Sequence, residues 1–528
     1  MASAKGRLKI DTRRVTRRDA LKITGLGAAC LAKGGALFAA EETPKQPNIL
    51  VIHVDQHRFD CLGACGNTDI KTPNVDALAA DGVRYENSFC PYPVCTPSRY
   101  SLISGRYVHE HGGFDNHSTL STEIDTFPRI LQTAGYKTKA VGKMHYTPTY
   151  LDVGFDEMEL SEQDGSGRWD DDYHRYLMGL GLVDRIDLED QRKEYRTHAP
   201  KEYYDTFGAL VSNLPDEHHS TTWIGDRAVE TLESWDGAAP RLLMAGFIKP
   251  HHPFDPPAPW HEMYDPESLT ILPGWIEKNL DYDLEYSRGY FGHDTLTEPA
   301  LRRITAYYYA TISQIDHHVG RMIDVLKKKN LSENTMIIFT SDHGEYLGFH
   351  HMLLKGNYIY DPLARVPLII KYPGSERAAT VSDAMVNNVD LAPTILDVAG
   401  LQLGPEMKGF NLREQQAGHE VIFCGRTEIM ARTRTRKLLL SRRKQGQNLF
   451  FDLSEDPLEL KNLYDDPAYQ KEIQELTEAV RTWQPELHLN HEKNLDEDAP
   501  QIDRPNVPSH NRSHRQAIID YYDKKMTS

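Results

Sequence analysis

Cysteine is scarce in this chain, six among 528 residues, which excludes a disulfide scaffold. Cys30 falls in a leader-like segment, so Cys61, Cys65, Cys90, Cys95 and Cys424 remain, an odd number that cannot all pair. The Cys61–Cys65 spacing is not that of a zinc knuckle, and there is no Cys-x-x-Cys pair to complete one, which argues against structural zinc. No repeat of 20–50 residues and no long low-complexity tract is present, which excludes a solenoid. The apolar run Ile23 to Ala32 is too short to span a bilayer, so no transmembrane segment is expected. Positive charge is also in deficit, with 60 Lys and Arg against 77 Asp and Glu and a net −17. Such a surface repels polyphosphate, and no nucleic-acid partner is expected. What is there is ordinary for a folded protein: 39% hydrophobic and 26% charged residues, with mean hydropathy −0.56. The length exceeds that of a typical domain of ~150 residues several-fold, so more than one structural unit is expected.

The charge is uneven. The first forty residues hold nine Lys and Arg but only Asp11 and Asp19, a net +7 that leaves −24 for the rest. A basic stretch, an apolar run and small residues around Ala36 to Ala40 follow one another in the order of a signal peptide. Thr16-Arg17-Arg18-Asp19-Ala20-Leu21-Lys22 resembles a twin-arginine export signal, so residues 1–40 are read as a leader and the mature protein as periplasmic or extracellular. Gly27, rather than Leu, three places before Cys30 argues against lipid anchoring there.

Apolar runs of strand length end abruptly in polar residues suited to chemistry. Ile49 to Val54 leads into Asp55-Gln56, Met336 to Thr340 into Ser341-Asp342-His343, Leu242 to Ile248 into Lys249-Pro250-His251-His252, and Thr138 to Val141 into Gly142-Lys143-Met144-His145. Continuous rather than alternating apolarity means burial on both faces, so the spacing predicts an α/β fold: a large, mixed, mostly parallel sheet sandwiched by helices. Ligands of such sheets bind beyond the carboxyl ends of the strands. A helix is predicted after the Thr72-Pro73 cap, and a long amphipathic one over Glu298 to Asn330. Residues 161–216, rich in Asp, Arg, Tyr and Gly without periodicity, are expected as an insertion over the active face. A catalytic domain over 46–425 is expected to precede a smaller α+β subdomain, 426–485, with an antiparallel sheet from 434–440 and 448–453, then a helix over 469–484. An extended polar tail, 486–528, is expected to wrap the surface or to reach a neighbouring subunit in a homo-oligomer.

The most informative stretch is Cys95-Thr-Pro-Ser-Arg-Tyr-Ser-Leu-Ile-Ser-Gly105. Thr96 suits an N-cap and Pro97 a first helical position, which would put Cys95 at a helix amino terminus, where amides and dipole favour an anion. Arg99, one turn on, is expected to point back at that anion. Cys-x-Pro-Ser-Arg followed by Leu-x-Ser-Gly-Arg resembles the type I sulfatase signature of the alkaline phosphatase superfamily, and the resemblance runs from about Pro47 to Tyr464. It implies that a formylglycine-generating maturation enzyme oxidises Cys95 to formylglycine. It further implies that Asp55, Gln56, Asp342 and His343, with the modified Cys95, bind one divalent cation. The commonest family pattern has Asp and Asn where Gln56 and His343 stand here. Ca²⁺ is the first expectation, with Mn²⁺ and Zn²⁺ open because a nitrogen donor suits them better.

By the same resemblance Lys143 and His145 position the nucleophile, a hydrated aldehyde that attacks sulfur, and Arg99 is counted with them among the catalytic residues. His251 with Lys355 serves the departing oxygen, and His145 is the base that regenerates the aldehyde. His109, Asp115, Asn116 and His252 are candidate substrate contacts, and His111 and His117 lie close in sequence. Three readings follow: hydrolysis of sulfate esters on a sulfated carbohydrate, small oligosaccharides being favoured over polymers; a phosphonate monoester or phosphodiester hydrolase of the same superfamily; and a non-catalytic anion-binding protein whose Cys95 stays a thiol.

Overall fold

The computed structural model describes residues 46–163, 167–284, 291–414, 416–426, 428–442, 446–484 and 515–527. The expected leader, 1–40, lies outside the described residues. Eight strands form the main sheet: β1 (Asn48–Asp55), β2 (Val83–Phe89), β3 (Lys137–Gly142), β4 (Glu157–Leu160), β5 (Arg241–Pro250), β6 (Thr335–Ser341), β7 (Leu368–Lys371) and β8 (Thr380–Asn387). Their order is β4-β3-β5-β1-β6-β7-β2-β8. β7 runs antiparallel to both its neighbours and every other pairing is parallel. The expected α/β class and all four predicted strands are present.

Every residue of β1 is buried. Its odd-numbered side chains, Ile49 and Val51, join one core with Met244, Ile338 and the helical Tyr100 and Ile103. Leu50, Ile52 and Val54 join a second with Phe247, Phe339, Trp223 and Val319. A strand with two cores and no solvent face is the physical source of its unbroken apolarity. The long helix spans Glu298–Lys328, two residues short of the expected end, with Thr297 accepting from the Ala300 amide as its cap. Among the described residues no helix is long and apolar enough to cross a membrane.

β9 (Ile422–Gly425), β10 (Glu428–Arg432), β11 (Arg436–Ser441) and β12 (Leu449–Asp452) form an antiparallel sheet. Alternate residues do different work, as the period of two requires. Met430, Leu439 and Phe451 face Tyr358 and Tyr360 of the catalytic unit, while Ile429, Leu438 and Phe450 pack on Ile473, Leu476 and Val480 of the helix Gln470–Trp483. The small sheet thus begins at Ile422, four residues before the expected boundary.

The expectation of a wholly extended tail is also corrected. Arg515–Thr527 is a helix whose Ile518 and Tyr522 are buried against Trp169 and Leu188 of the insertion, with the Tyr522 hydroxyl donating to the His174 carbonyl at 2.8 Å. The insertion itself is helical over Asp172–Leu180 and Arg185–Gln191, with shorter turns after it.

Candidate active site

β3, β5, β1 and β6 are neighbours, so their carboxyl ends deliver four of the predicted motifs to one place. β3 and β5 come very close there: a Cβ on Gly142, which has φ +87°, would fall 2.2 Å from the Gly246 carbonyl oxygen. That approach fixes Lys143 and His145 against β5. Gln56 and His145 both adopt left-handed backbone, φ 62° and 56°, a conformation that costs of order 1 kcal/mol for such residues and concentrates at functional sites. The helix Cys95–Ser104 enters from the side with Cys95 as its first residue. Val94 is its N-cap, not Thr96 as expected: the Thr96 hydroxyl instead donates to the His145 carbonyl at 2.8 Å. The placement of Cys95 at the helix mouth stands.

Around the Cys95 sulfur the predicted residues converge. Sγ lies 3.2 Å from His343 Nε2, 3.2 Å from Lys355 Nζ and 3.8 Å from Asp55 Oδ1. Lys355 also donates to Gln56 Oε1 at 3.0 Å and to His343 Nε2 at 3.0 Å. Lys143 pairs with Asp55 at 2.8 Å. Arg99 departs from expectation. Its guanidinium bridges Asp55 and Asp342 at 2.9 Å each and donates to the Lys143 carbonyl at 2.7 Å, so it is committed to the two carboxylates instead of reaching back to the anion.

Asp55, Cys95, Asp342 and His343 present ligand atoms within 4.8 Å of one another, and all four are buried. Two details of the donor set fit a divalent cation. His343 Nδ1 lies 2.9 Å from the Gly344 carbonyl; a carbonyl only accepts, so Nδ1 carries the proton and the lone pair of Nε2 faces the cluster, as a metal ligand requires. Gln56 is oriented by Glu345, whose carboxylate accepts from Gln56 Nε2 and so turns Oε1 inward. The set is then two carboxylates, one amide oxygen and one imidazole.

Charge sets the protonation states. Burial pushes the Asp55 carboxyl up, but Lys143, His251, Arg99 and Lys355 hold it well below the usual carboxylate range. Burial and the Asp55 charge push the Cys95 thiol up to about 11. An unmodified cysteine here is a protonated thiol near neutral pH and a poor nucleophile. Burial, Lys143 and Arg99 keep His145 neutral, and its Nδ1 is a buried ring nitrogen without a protein partner among the described residues. Burial, Lys355 and His252 do the same for His251.

Among the substrate-contact candidates, Asn116 accepts from the Thr96 amide at the helix mouth, and His252 stacks on His251 with ring centroids 4.3 Å apart. The others have the following protein partners. His109 is stacked on Tyr107 and edge-on to Trp483, a packing role. Asp115 belongs to an exposed turn, where it accepts from the His117 amide and the Ser118 hydroxyl. His111 bonds the buried Ser101 hydroxyl at 2.8 Å.

Three acidic residues that sequence reasoning missed support the site. Glu345 carries Gln56, as above, and Asp190 bonds His252 at 2.6 Å. Glu162, 2% exposed, accepts from the Met144 and His145 amides, and burial raises its carboxyl to about 7. Between the unfolded carboxyl's pKa and about 7, the folded state holds a proton that the unfolded state has lost, so this group makes stability fall as pH rises. In metal-free protein Glu162→Gln is expected to exceed the parent by about 2 kcal/mol at about pH 8, the gap closing toward about pH 4. Urea unfolding at both values measures it, and a pH-independent difference would refute the assignment.

Comparison with known proteins agrees with this geometry. The sulfatase family model matches residues 47–401, and that of the N-sulphoglucosamine sulphohydrolase C-terminal region matches 348–486. An arylsulfatase of Clostridium perfringens is 30% identical over 81% of this chain and 92% of its own. An N-acetylglucosamine-6-O-sulfatase of Bacteroides thetaiotaomicron is 26% identical over 88% of this chain and 91% of its own. The crystal structure of a phosphonate monoester hydrolase of Agrobacterium radiobacter shares the fold, with TM-score 0.69 at 24% identity over 83% of this chain and 95% of that one. With signature, fold and family match coinciding on one set of strand ends, this chain belongs to the sulfatase family of the alkaline phosphatase superfamily and is a sulfuric ester hydrolase.

Proposed function

We propose that this enzyme removes sulfate from carbohydrate hydroxyls, acting outside the cytoplasm on small sulfated saccharides, with Cys95 matured to formylglycine by a separate enzyme. The observation that carries the reading is Cys95 itself, buried at a helix amino terminus among Lys355, His343 and Asp55. The Sγ atom marks where the oxygens of the matured side chain would sit. The carbohydrate substrate is supported by the family of the C-terminal region and by the N-acetylglucosamine-6-O-sulfatase relative. The export proposal rests on the leader's order of charge and apolarity.

A hydrated formylglycine supplies a nucleophile that a neutral thiol does not. Asp55, Gln56, Asp342 and His343 would hold Ca²⁺, which supplies neutralising charge to the bound anion. The chain's own groups do the rest. Lys355, within hydrogen-bond reach of position 95, contributes its cation to the sulfuryl oxygens. Lys143 and Arg99 keep Asp55 ionised and in place. His145, neutral and with an unpartnered Nδ1, accepts the proton released when the aldehyde is restored. His251 serves the oxygen of the departing alcohol.

A second reading, phosphonate monoester hydrolysis, is favoured by Gln56 and His343 in the donor set and by the fold shared with the phosphonate hydrolase. One screen separates them: Ca²⁺-loaded protein from its natural host is offered defined sulfated mono- and disaccharides and an aryl phosphonate. Release of inorganic sulfate from at least one sugar, at higher kcat/KM than the phosphonate, is expected. Preference for the phosphonate would overturn the proposal, and repeating the screen with Mn²⁺ and Zn²⁺ tests the ion.

A further inference from the structure

His251 is held from behind by the insertion, and the hydrogen-bond directions there are unambiguous. His251 Nδ1 lies 2.8 Å from the His252 carbonyl oxygen. That oxygen cannot donate, so Nδ1 carries the proton and the lone pair of the neutral ring is on Nε2. The same carbonyl accepts from Gln163 Nε2 at 2.9 Å and from Gln191 Nε2 at 3.1 Å. Three donors on one carbonyl pin it in direction, and two of them come from the insertion. The His252 ring is fixed in turn: its Nδ1 bonds Asp190 Oδ2 at 2.6 Å while its face stacks on His251. Asp190 is itself clamped, accepting from the Tyr203 hydroxyl at 2.6 Å, with its backbone carbonyl accepting from Arg196. Asp190, Gln191 and Tyr203 are 0%, partly and 0% exposed respectively, and their burial is tolerated because each finds a hydrogen-bond partner, which makes the network rigid.

We propose that Asp190, with Gln163 and Gln191, is a positioning device for leaving-group departure: through His252 it locks the ring and tautomer of His251, so that Nε2 is presented to the oxygen that leaves. The inference rests on the role given to His251 above. As the sulfur–oxygen bond breaks, its electron pair goes to the departing oxygen. A proton that the ring has taken from solvent alongside the anionic substrate passes from Nε2 to that oxygen and forms the alcohol, while Nδ1–H stays on the His252 carbonyl. A ring free to rotate would lose this alignment, and alignment of the donor is where general-acid assistance comes from. Such assistance matters most when the leaving alcohol is a poor leaving group.

The test is a series of substituted phenyl sulfates, from 4-nitrophenyl to unsubstituted phenyl, with the parent enzyme and Asp190→Asn, each Ca²⁺-loaded. The asparagine keeps size and removes the charged acceptor. We expect kcat on phenyl sulfate to fall about 100-fold and on 4-nitrophenyl sulfate only about fivefold, which steepens the dependence on leaving-group pKa. An equal loss across the series would mean a merely structural role and would overturn the proposal. Should Asp190→Asn not fold, by circular dichroism and thermal unfolding, Gln191→Leu removes one donor to the same carbonyl, and a steeper slope is again required of it. If the parent releases sulfate from neither aryl sulfates nor the sulfated sugars above, the assignment of the site falls and takes this inference with it, an outcome distinct from a parallel loss; a parent active only on sugars is tested with the same variants on sugar sulfates that differ in the pKa of the departing hydroxyl.

Discussion

Cys95→Ala is expected to lower turnover of every sulfate ester by about 10⁵-fold while barely changing the fold. The thiol contributes little to packing: replacing it removes one buried sulfur and costs about 1 kcal/mol. The groups around it keep partners, since Lys355 still donates to Gln56 and His343, and Asp55 still pairs with Lys143 and Arg99. What is lost is the side chain from which the proposed nucleophile is made. Unmodified Cys95 cannot stand in for formylglycine, because its thiol is held protonated by burial and by Asp55. The same reasoning fixes the state of the active enzyme: the peptide spanning 91–106, isolated from the natural host, should be about 18 Da lighter than the thiol form. A thiol mass in fully active protein, or substantial turnover by Cys95→Ala, would remove the catalytic account.

The sheet was legible because each central strand is buried on both faces and therefore spells a continuous apolar run, as in Ile49 to Val54 and Met336 to Thr340. Where such runs stop, the chain turns at the carboxyl edge, and the first polar residues are the site. Asp55, Gln56, Lys143, His251, Asp342 and His343 were accessible to sequence reasoning for that reason. The orientation of Arg99 was not, since helical spacing places it one turn beyond Cys95 but says nothing of two carboxylates arriving from β1 and β6. Glu162 and Asp190 lie in a segment without periodicity and act across tertiary contacts with the loops after β3 and β5. Glu345 alone left a trace: a glutamine oriented with its oxygen toward a cluster needs an acceptor for its amide, and an acid follows His343 by two residues. The terminal helix was hidden by composition, because only Ile518 and Tyr522 of its thirteen residues are buried.

Arg99→Leu should reveal how much of the site's stability is borrowed from charge compensation. Arg99 is fully buried and spends its guanidinium nitrogens on Asp55, Asp342 and the Lys143 carbonyl. Burial pushes both carboxyls up, and the Asp55 charge raises the cost of ionising Asp342 further; Arg99 is among the groups that pull them down. Leucine fills much of the volume but leaves two carboxylates facing one another, with Lys143 compensating Asp55 alone. Removing one partner of a buried ion pair costs about 3–5 kcal/mol, and that is the expected loss in metal-free protein. Since a divalent cation between the same carboxylates replaces the missing charge, saturating Ca²⁺ should stabilise the variant more than the parent, by linkage. Arg99→Lys restores charge but not the fork that spans both acids, so it should recover only part of the loss. Turnover should drop about 10³-fold in Arg99→Leu, because the carboxylates lose their fixed orientation. Urea unfolding with chelator and with Ca²⁺ separates these effects. If the leucine variant matched the parent in chelator, Asp55 and Asp342 would have to be protonated at rest, and a site that binds a cation through two ionised carboxylates would be untenable.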